Sequence, residues 1–305
     1  MTGPLVTGSI GSPKPKQLWQ MLLSIVVILP LLFYTQAQWQ RPALSSQSPT
    51  AIFSGITYER QVNRNRPQVI HIVDIDLTQA GIDVFVSPGS SELSSDREIK
   101  ALTTSDFLTQ YGLQLAVNAH FFYPFEEETP WRFTPHPGDL ANVLGIAVSS
   151  GRMYSPPQES WPALCFGADG RAQLQPGGTC PPATRHAIAG NQALILAGES
   201  MPLEENDRSY GRVMVALNQP GDRLWLVVVD GKQPYYSEGA TLAQLIEIAQ
   251  GLGADAALNL DGGGSTTLVM AADRGAKVLN APIHTKWPMR ERPVASHLGF
   301  RAVPI

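Results

Sequence analysis

Two apolar runs in the last third of the chain both break off at Asp-Gly. The first is Leu224-Trp-Leu-Val-Val-Val229, closed by Asp230-Gly231; the second is Ala257-Leu-Asn-Leu260, closed by Asp261 and then Gly262, Gly263 and Gly264. The first run has no polar alternation, which fits a strand covered on both faces. Between the runs, Thr241 with Gln244 three residues on reads as a capping box. Leu242, Leu245, Ile246, Ala249 and Leu252 recur at helical spacing, and Gly251 and Gly253 supply the stop. Strand, helix, strand predicts a right-handed βαβ unit with parallel strands. Asp230 and Asp261 then stand at the carboxyl ends of their strands, where open α/β sheets collect ligands.

Side chains alternate along a strand, so Asn259 and Asp261 share one face. A tight turn needs one or two glycines. Three of them between an acid and the Ser265-Thr-Thr267 cluster point to a ligand approaching bare amides. Asn118 and His120 repeat the device on an expected strand from Gln114 to Phe122. His120 either donates to a phosphate or sugar hydroxyl or simply fills space. Arg212 precedes the run Val213–Leu217 and Arg292 precedes Pro293–Phe300. A guanidinium there is either a rim ion-pair partner or a fork for two phosphate oxygens. Glu126-Glu-Glu128 reads as a solvated acidic loop, with metal binding the weaker reading.

These segments resemble the phosphodiester glycosidase domain family, whose bacterial members are often labelled exopolysaccharide-biosynthesis proteins. The resemblance rests on Val227-Val-Val-Asp-Gly231, Tyr236-Ser-Glu-Gly-Ala-Thr-Leu242 and Ala257-Leu-Asn-Leu-Asp-Gly-Gly-Gly-Ser-Thr-Thr267. It extends from about Gly55 to Arg301 and takes in Asn118-Ala-His-Phe-Phe122, Arg185-His-Ala-Ile188, Arg212-Val-Met-Val-Ala216 and Arg290-Glu-Arg-Pro-Val-Ala295. Ala119 and His120 depart from the family's usual Asn-Gly-Gly-Phe-Phe. The resemblance implies hydrolysis of a sugar-1-phosphodiester, with N-acetylglucosamine as one sugar. Asp261 and Glu238 are the expected carboxylates, with Asp230 as an alternative or a structural support. Arg212 and Arg292 are expected on the phosphate, Asn118, Asn259 and His120 on the substrate, and Gly262, Gly263, Gly264 and Ser265 as further contacts.

The rest of the chain frames that reading. With 27 glycines and 25 prolines the chain is expected to be α+β, a strand-rich mixed sheet with few helices. A net charge of −4 gives no footprint for nucleic acid. Residues 1–17 read as a disordered cytoplasmic segment with Lys14 and Lys16 before an uncharged apolar run. Residues 18–37 are expected to be a membrane anchor, with a cleaved signal as the alternative, and in both cases the remainder of the chain is exported. Residues 38–54 read as a polar tether and 55–305 as the folded domain. Val69–Leu77 and Gly81–Ser87 are expected to pair as a hairpin, leaving His71 partly exposed, and Glu98–Tyr111 to form a helix. A second hairpin is expected around Ala168-Asp-Gly170. The two cysteines, Cys165 and Cys180, flank it. In an exported domain a lone pair favours a disulfide over a metal site.

Two rivals come from other classes. A metal-dependent phosphodiesterase would draw on Asp230, Asp261 and His120, without a tight ligand cluster. A non-catalytic polysaccharide-binding module is suggested by His120. No cofactor is expected: the three glycines lack Gly-x-Gly-x-x-Gly spacing, and no Gly-Lys-Ser/Thr comes after them.

Overall fold

A computed structural model describes residues 15–90, 97–203 and 207–305. The expectation for residues 1–14, Lys14 included, lies outside them. The chain divides at Gln40 into two units. In the first, helix Pro15–Trp39 contains an uncharged stretch, Trp19–Trp39, long and apolar enough to cross a membrane.

The second unit, from Arg41, is built on antiparallel sheets. The largest has eight strands in the order Gln47–Phe53, Ile56–Asn63, Gln68–Asp76, Arg223–Val229, Arg212–Leu217, Ala256–Leu260, Gln192–Leu196, Glu199–Ser200. Strand Arg223–Val229 is buried on both faces, as its composition demands. Leu224, Leu226 and Val228 enter a core shared with Leu115, Val117, Leu298 and Phe300 of a second sheet. Trp225, Val227 and Val229 enter another, under helix Leu242–Gly251. That helix carries the expected capping box between Thr241 and Gln244.

The strand–helix–strand unit is present with one difference. Strands Arg223–Val229 and Ala256–Leu260 run the same way, but each pairs antiparallel with Arg212–Leu217, which lies between them. The ladders among the named strands are all antiparallel, so the helix crosses over an intervening strand rather than joining neighbours.

The second sheet has the order Gly275–Val278, Leu268–Ala272, Leu115–Asn118, His297–Arg301, Asp83–Val86. The expected hairpin of Val69–Leu77 with Gly81–Ser87 therefore does not form: its halves sit in different sheets. The apolar face of each strand found a different partner, a long-range choice that alternation does not encode. His71, expected to be partly exposed, is 0% exposed in the large sheet. The helix expected from Glu98 starts at Thr104, because Thr103 caps the Asp106 amide and Ile99–Lys100 is drawn off to pair with Leu140–Val143. Gln47–Phe53, inside the expected tether, is an edge strand paired with Ile56–Asn63. Cys165 and Cys180 are bridged as expected, beside the hairpin Ala163–Gly167/Ala172–Gln175 in a third, five-stranded sheet.

Candidate active site

Asp261 lies one residue past strand Ala256–Leu260, where the two main sheets meet. Its amide donates to the Ala119 carbonyl at 3.0 Å. Asn118 Nδ2 donates to the Asp261 carbonyl at 2.6 Å, and Asn118 Oδ1 accepts from the Thr267 amide at 3.0 Å. Asn118 is wholly buried and both its polar atoms hold backbone. Asn118, expected on the substrate, pins both ends of the glycine turn.

The turn itself winds into a short 3-10 helix, Gly263–Ser265. Gly263 adopts φ 61, and its amide donates to the Gly211 carbonyl at 2.7 Å. A Cβ on Gly264 would stand 2.3 Å from Arg292 Nη2. Glycine is therefore required for the guanidinium to lie against the backbone.

Arg292 is 5% exposed and held on every side. Nη1 donates to Ser265 Oγ at 3.0 Å, Nε donates to His284 Nδ1 at 3.3 Å, and Nη2 pairs with Glu127 Oε2. The Phe125 ring faces the guanidinium carbon at 4.6 Å. Glu291 places the segment by accepting from the Ser105 amide at 3.0 Å, at the start of helix Thr104–Tyr111. Burial works against the Arg292 charge, while Glu127 and Asp261 favour it.

Asp261 is partly buried. Burial pushes its carboxyl up to about 6, against the pull of a Ser265 hydrogen bond, Arg292, the Gly262 amide and Lys232. Ser265 thus links the carboxylate to the guanidinium. This arrangement combines an acid that titrates near neutrality with a fixed cation, and it can bind an anion beside a nucleophile or base.

Other expected residues lie elsewhere. Glu238 is exposed, in a cleft with Arg66, Gln68 and Gln244. Asp230 is buried in the large sheet's network: Oδ2 faces His71 Nε2 at 3.1 Å, and Oδ1 accepts from Asn280 Nδ2 at 3.0 Å and the Ala281 amide at 2.8 Å. His71 Nδ1 in turn meets Tyr58 Oη at 2.9 Å. Asn280 also donates to the Thr266 carbonyl and accepts from the Leu268 amide, so Asp230 supports the glycine turn from behind. Of the two readings for Asp230, structural support is the one its contacts fit.

Arg212 is tied to the Ala240 and Arg208 carbonyls and to Asp207, in a cleft with Asn191, Gln192 and Tyr210. Asn259 Nδ2 donates to Asn191 Oδ1 at 2.7 Å. His120 is buried between Ser296 Oγ at 2.9 Å and the Ile146 carbonyl and Ala189 amide, both at 3.0 Å. Burial lowers its pKa to about 4, so it is neutral at pH 7. Arg212, Asn259 and His120, expected on the substrate, thus stand in contacts of their own away from Arg292, and Asn259 Oδ1 is buried with no hydrogen-bond partner among the described residues. Asp230, Asp261 and His120 sit in three separate networks.

Sequence reasoning misses three residues of the site. Glu127 belongs to an acidic run that reads as solvated. His284 and Lys232, whose Nζ a Gly263 Cβ would meet at 3.4 Å, carry no motif.

The fold and site together define a strand-rich domain with one carboxyl raised by burial and a buried arginine at the meeting of two sheets. Residues 111–301 match the family described as phosphodiester glycosidase, more than half of the chain, and the chain belongs to that family. Among solved structures, it is similar to a hypothetical protein from Synechocystis, with TM-score 0.61 and 15% identity over 86% of this chain and 64% of that one. It is also similar to the zebrafish N-acetylglucosamine-1-phosphodiester α-N-acetylglucosaminidase catalytic domain auto-inhibited by its pro-peptide, with TM-score 0.56 and 20% identity over 85% of this chain and 87% of that one. The chain thus spans just under two thirds of the Synechocystis protein, and both likenesses are likenesses of fold. No curated protein matches it in sequence.

Proposed function

We propose that this chain is an exported glycosidase that hydrolyses the glycosidic bond of a sugar-1-phosphodiester in the cell envelope or outside it. The observation that carries the reading is the Asp261–Ser265–Arg292 cluster: a carboxyl raised to about 6 beside a buried guanidinium. A phosphodiester is already a good leaving group, so one well-placed carboxylate and a cation suffice where an ordinary glycoside needs a strong acid as well. Asp261, ionised, attacks or shields the anomeric carbon as positive charge develops there. The bond between that carbon and the phosphoryl oxygen breaks, and the phosphate monoester leaves with the electron pair, held by Arg292. Water supplies the hydroxyl that completes hydrolysis. The zebrafish neighbour's name makes N-acetylglucosamine the first sugar to try.

Release of sugar from a synthetic N-acetylglucosamine-1-phosphodiester, with and without chelator, tests this. Turnover that survives the chelator is expected. Turnover abolished by it would make the protein a metal-dependent enzyme, and binding without turnover on a panel of sugar phosphodiesters would make it a polysaccharide-binding module.

A further inference from the structure

The Glu127 carboxylate is held as a phosphoryl group would be. One oxygen takes the Arg292 Nη2 donor and the other accepts from the Thr285 amide at 2.8 Å. That amide belongs to a turn in which Thr285, Lys286 and Met289 adopt φ 53, 62 and 56. For β-branched Thr285 a left-handed angle is an outlier, and such strain persists where surrounding structure imposes it, often at ligand clamps. A second cation stands on the same turn, since Arg290 Nη1 donates to Thr285 Oγ1 at 2.9 Å. His284 adds a donor: its Nδ1 accepts from Arg292, so the ring proton is on Nε2, which is buried without a partner among the described residues. One guanidinium and a strained amide thus hold the carboxylate, and a second guanidinium and an unpaired imidazole N–H belong to the same segment, His284 to Arg290.

We propose that this is the anion seat for the substrate's phosphodiester group, and that Glu127 occupies it as an internal competitor which the phosphodiester displaces. The identity of the anion rests on the glycosidase reading; the seat does not. A phosphodiester brings two non-bridging oxygens of its own, which replace the two of Glu127 on Arg292 and the Thr285 amide. The Glu127 side chain is 24% exposed and sits on the small hairpin Glu126–Glu127/Phe133–Thr134, so the released carboxylate passes to water rather than into the protein.

Calorimetric titration of the full chain in detergent with dimethyl phosphate, a minimal phosphodiester without sugar, tests the seat. Glu127→Gln is expected to bind it at least about tenfold more tightly than the parent, ~1.4 kcal/mol. Glu127→Asp, too short to span both donors, is expected to show a smaller gain and decides the matter if Glu127→Gln does not fold. Glu126→Gln, on an exposed neighbour, makes the same charge change and is expected to leave affinity alone. Unchanged or weaker binding in the Glu127 variants, or an equal gain in Glu126→Gln, would overturn the proposal. Binding is read without turnover. Tighter dimethyl phosphate with no sugar release would keep the seat and remove the glycosidase, while turnover with unaltered affinity would remove the seat alone.

Discussion

Asp261 is a residue the fold has to tolerate rather than one it uses for stability. Its carboxyl titrates near 6 instead of its ordinary value of 3.8 because burial disfavours the charge more than Ser265 and Arg292 restore it. The unfolded chain therefore releases this proton first as pH rises. Asp261 subtracts stability progressively between about pH 4 and 6, and the loss persists above. Asp261→Asn keeps the shape and removes the charge. Its melting temperature at pH 7 is expected to equal or exceed the parent's, while kcat falls at least about a thousandfold, ~4 kcal/mol of transition-state stabilisation. In the parent, kcat/KM is expected to rise as pH passes upward through about 6. A variant that folds and keeps most of its turnover would take Asp261 out of catalysis. Arg292→Ala is expected to raise KM for the phosphodiester well beyond that for a neutral aryl glycoside, since it acts on the leaving-group side. At this scale the sequence is informative wherever a residue carries a local context: Asp261, Ser265 and Arg292 each end or begin a recognisable run. Glu127 is not legible, because its partner lies 165 positions away and a run of three glutamates looks the same whether it faces water or a guanidinium.

Elements are legible where their own composition decides their burial. Strand Arg223–Val229, strand Ala256–Leu260 and the capped helix Leu242–Gly251 stand where periodicity and capping put them. The assignment of strands to sheets is not legible, because strand Asp83–Val86 joins His297–Arg301 rather than its sequence neighbour. The glycine turn belongs to this scale too. Gly264→Ala would drive a Cβ against the Arg292 guanidinium, whose other contacts leave it little room to yield. The variant is expected to lose about 1–3 kcal/mol in chemical denaturation. Its KM for the phosphodiester is expected to rise as Arg292 leaves its seat. Normal stability with normal KM would show that the guanidinium is free to move.

For the molecule as a whole, the helix Pro15–Trp39 and the Cys165–Cys180 bridge suit an exported domain in an oxidising compartment. Protease added to intact cells is expected to degrade the domain from Arg41 onward, and full protection would sink the export proposal. Reduction of the bridge, 15 residues apart, is expected to lower stability on the order of 3 kcal/mol and the melting temperature by several degrees. Strand His297–Arg301 has a further consequence. It is not an edge strand: it lies between Leu115–Asn118 and Asp83–Val86, and His297 meets Ser87 across 210 positions. Until that strand has been delivered, Asn118 lacks its neighbour and the floor beneath Asp261 is open. The sheet that carries Asn118 therefore closes only when a strand distant in sequence has docked. Contacts of such long sequence separation form late, so this side of the site is expected to be the last part of the domain to assemble.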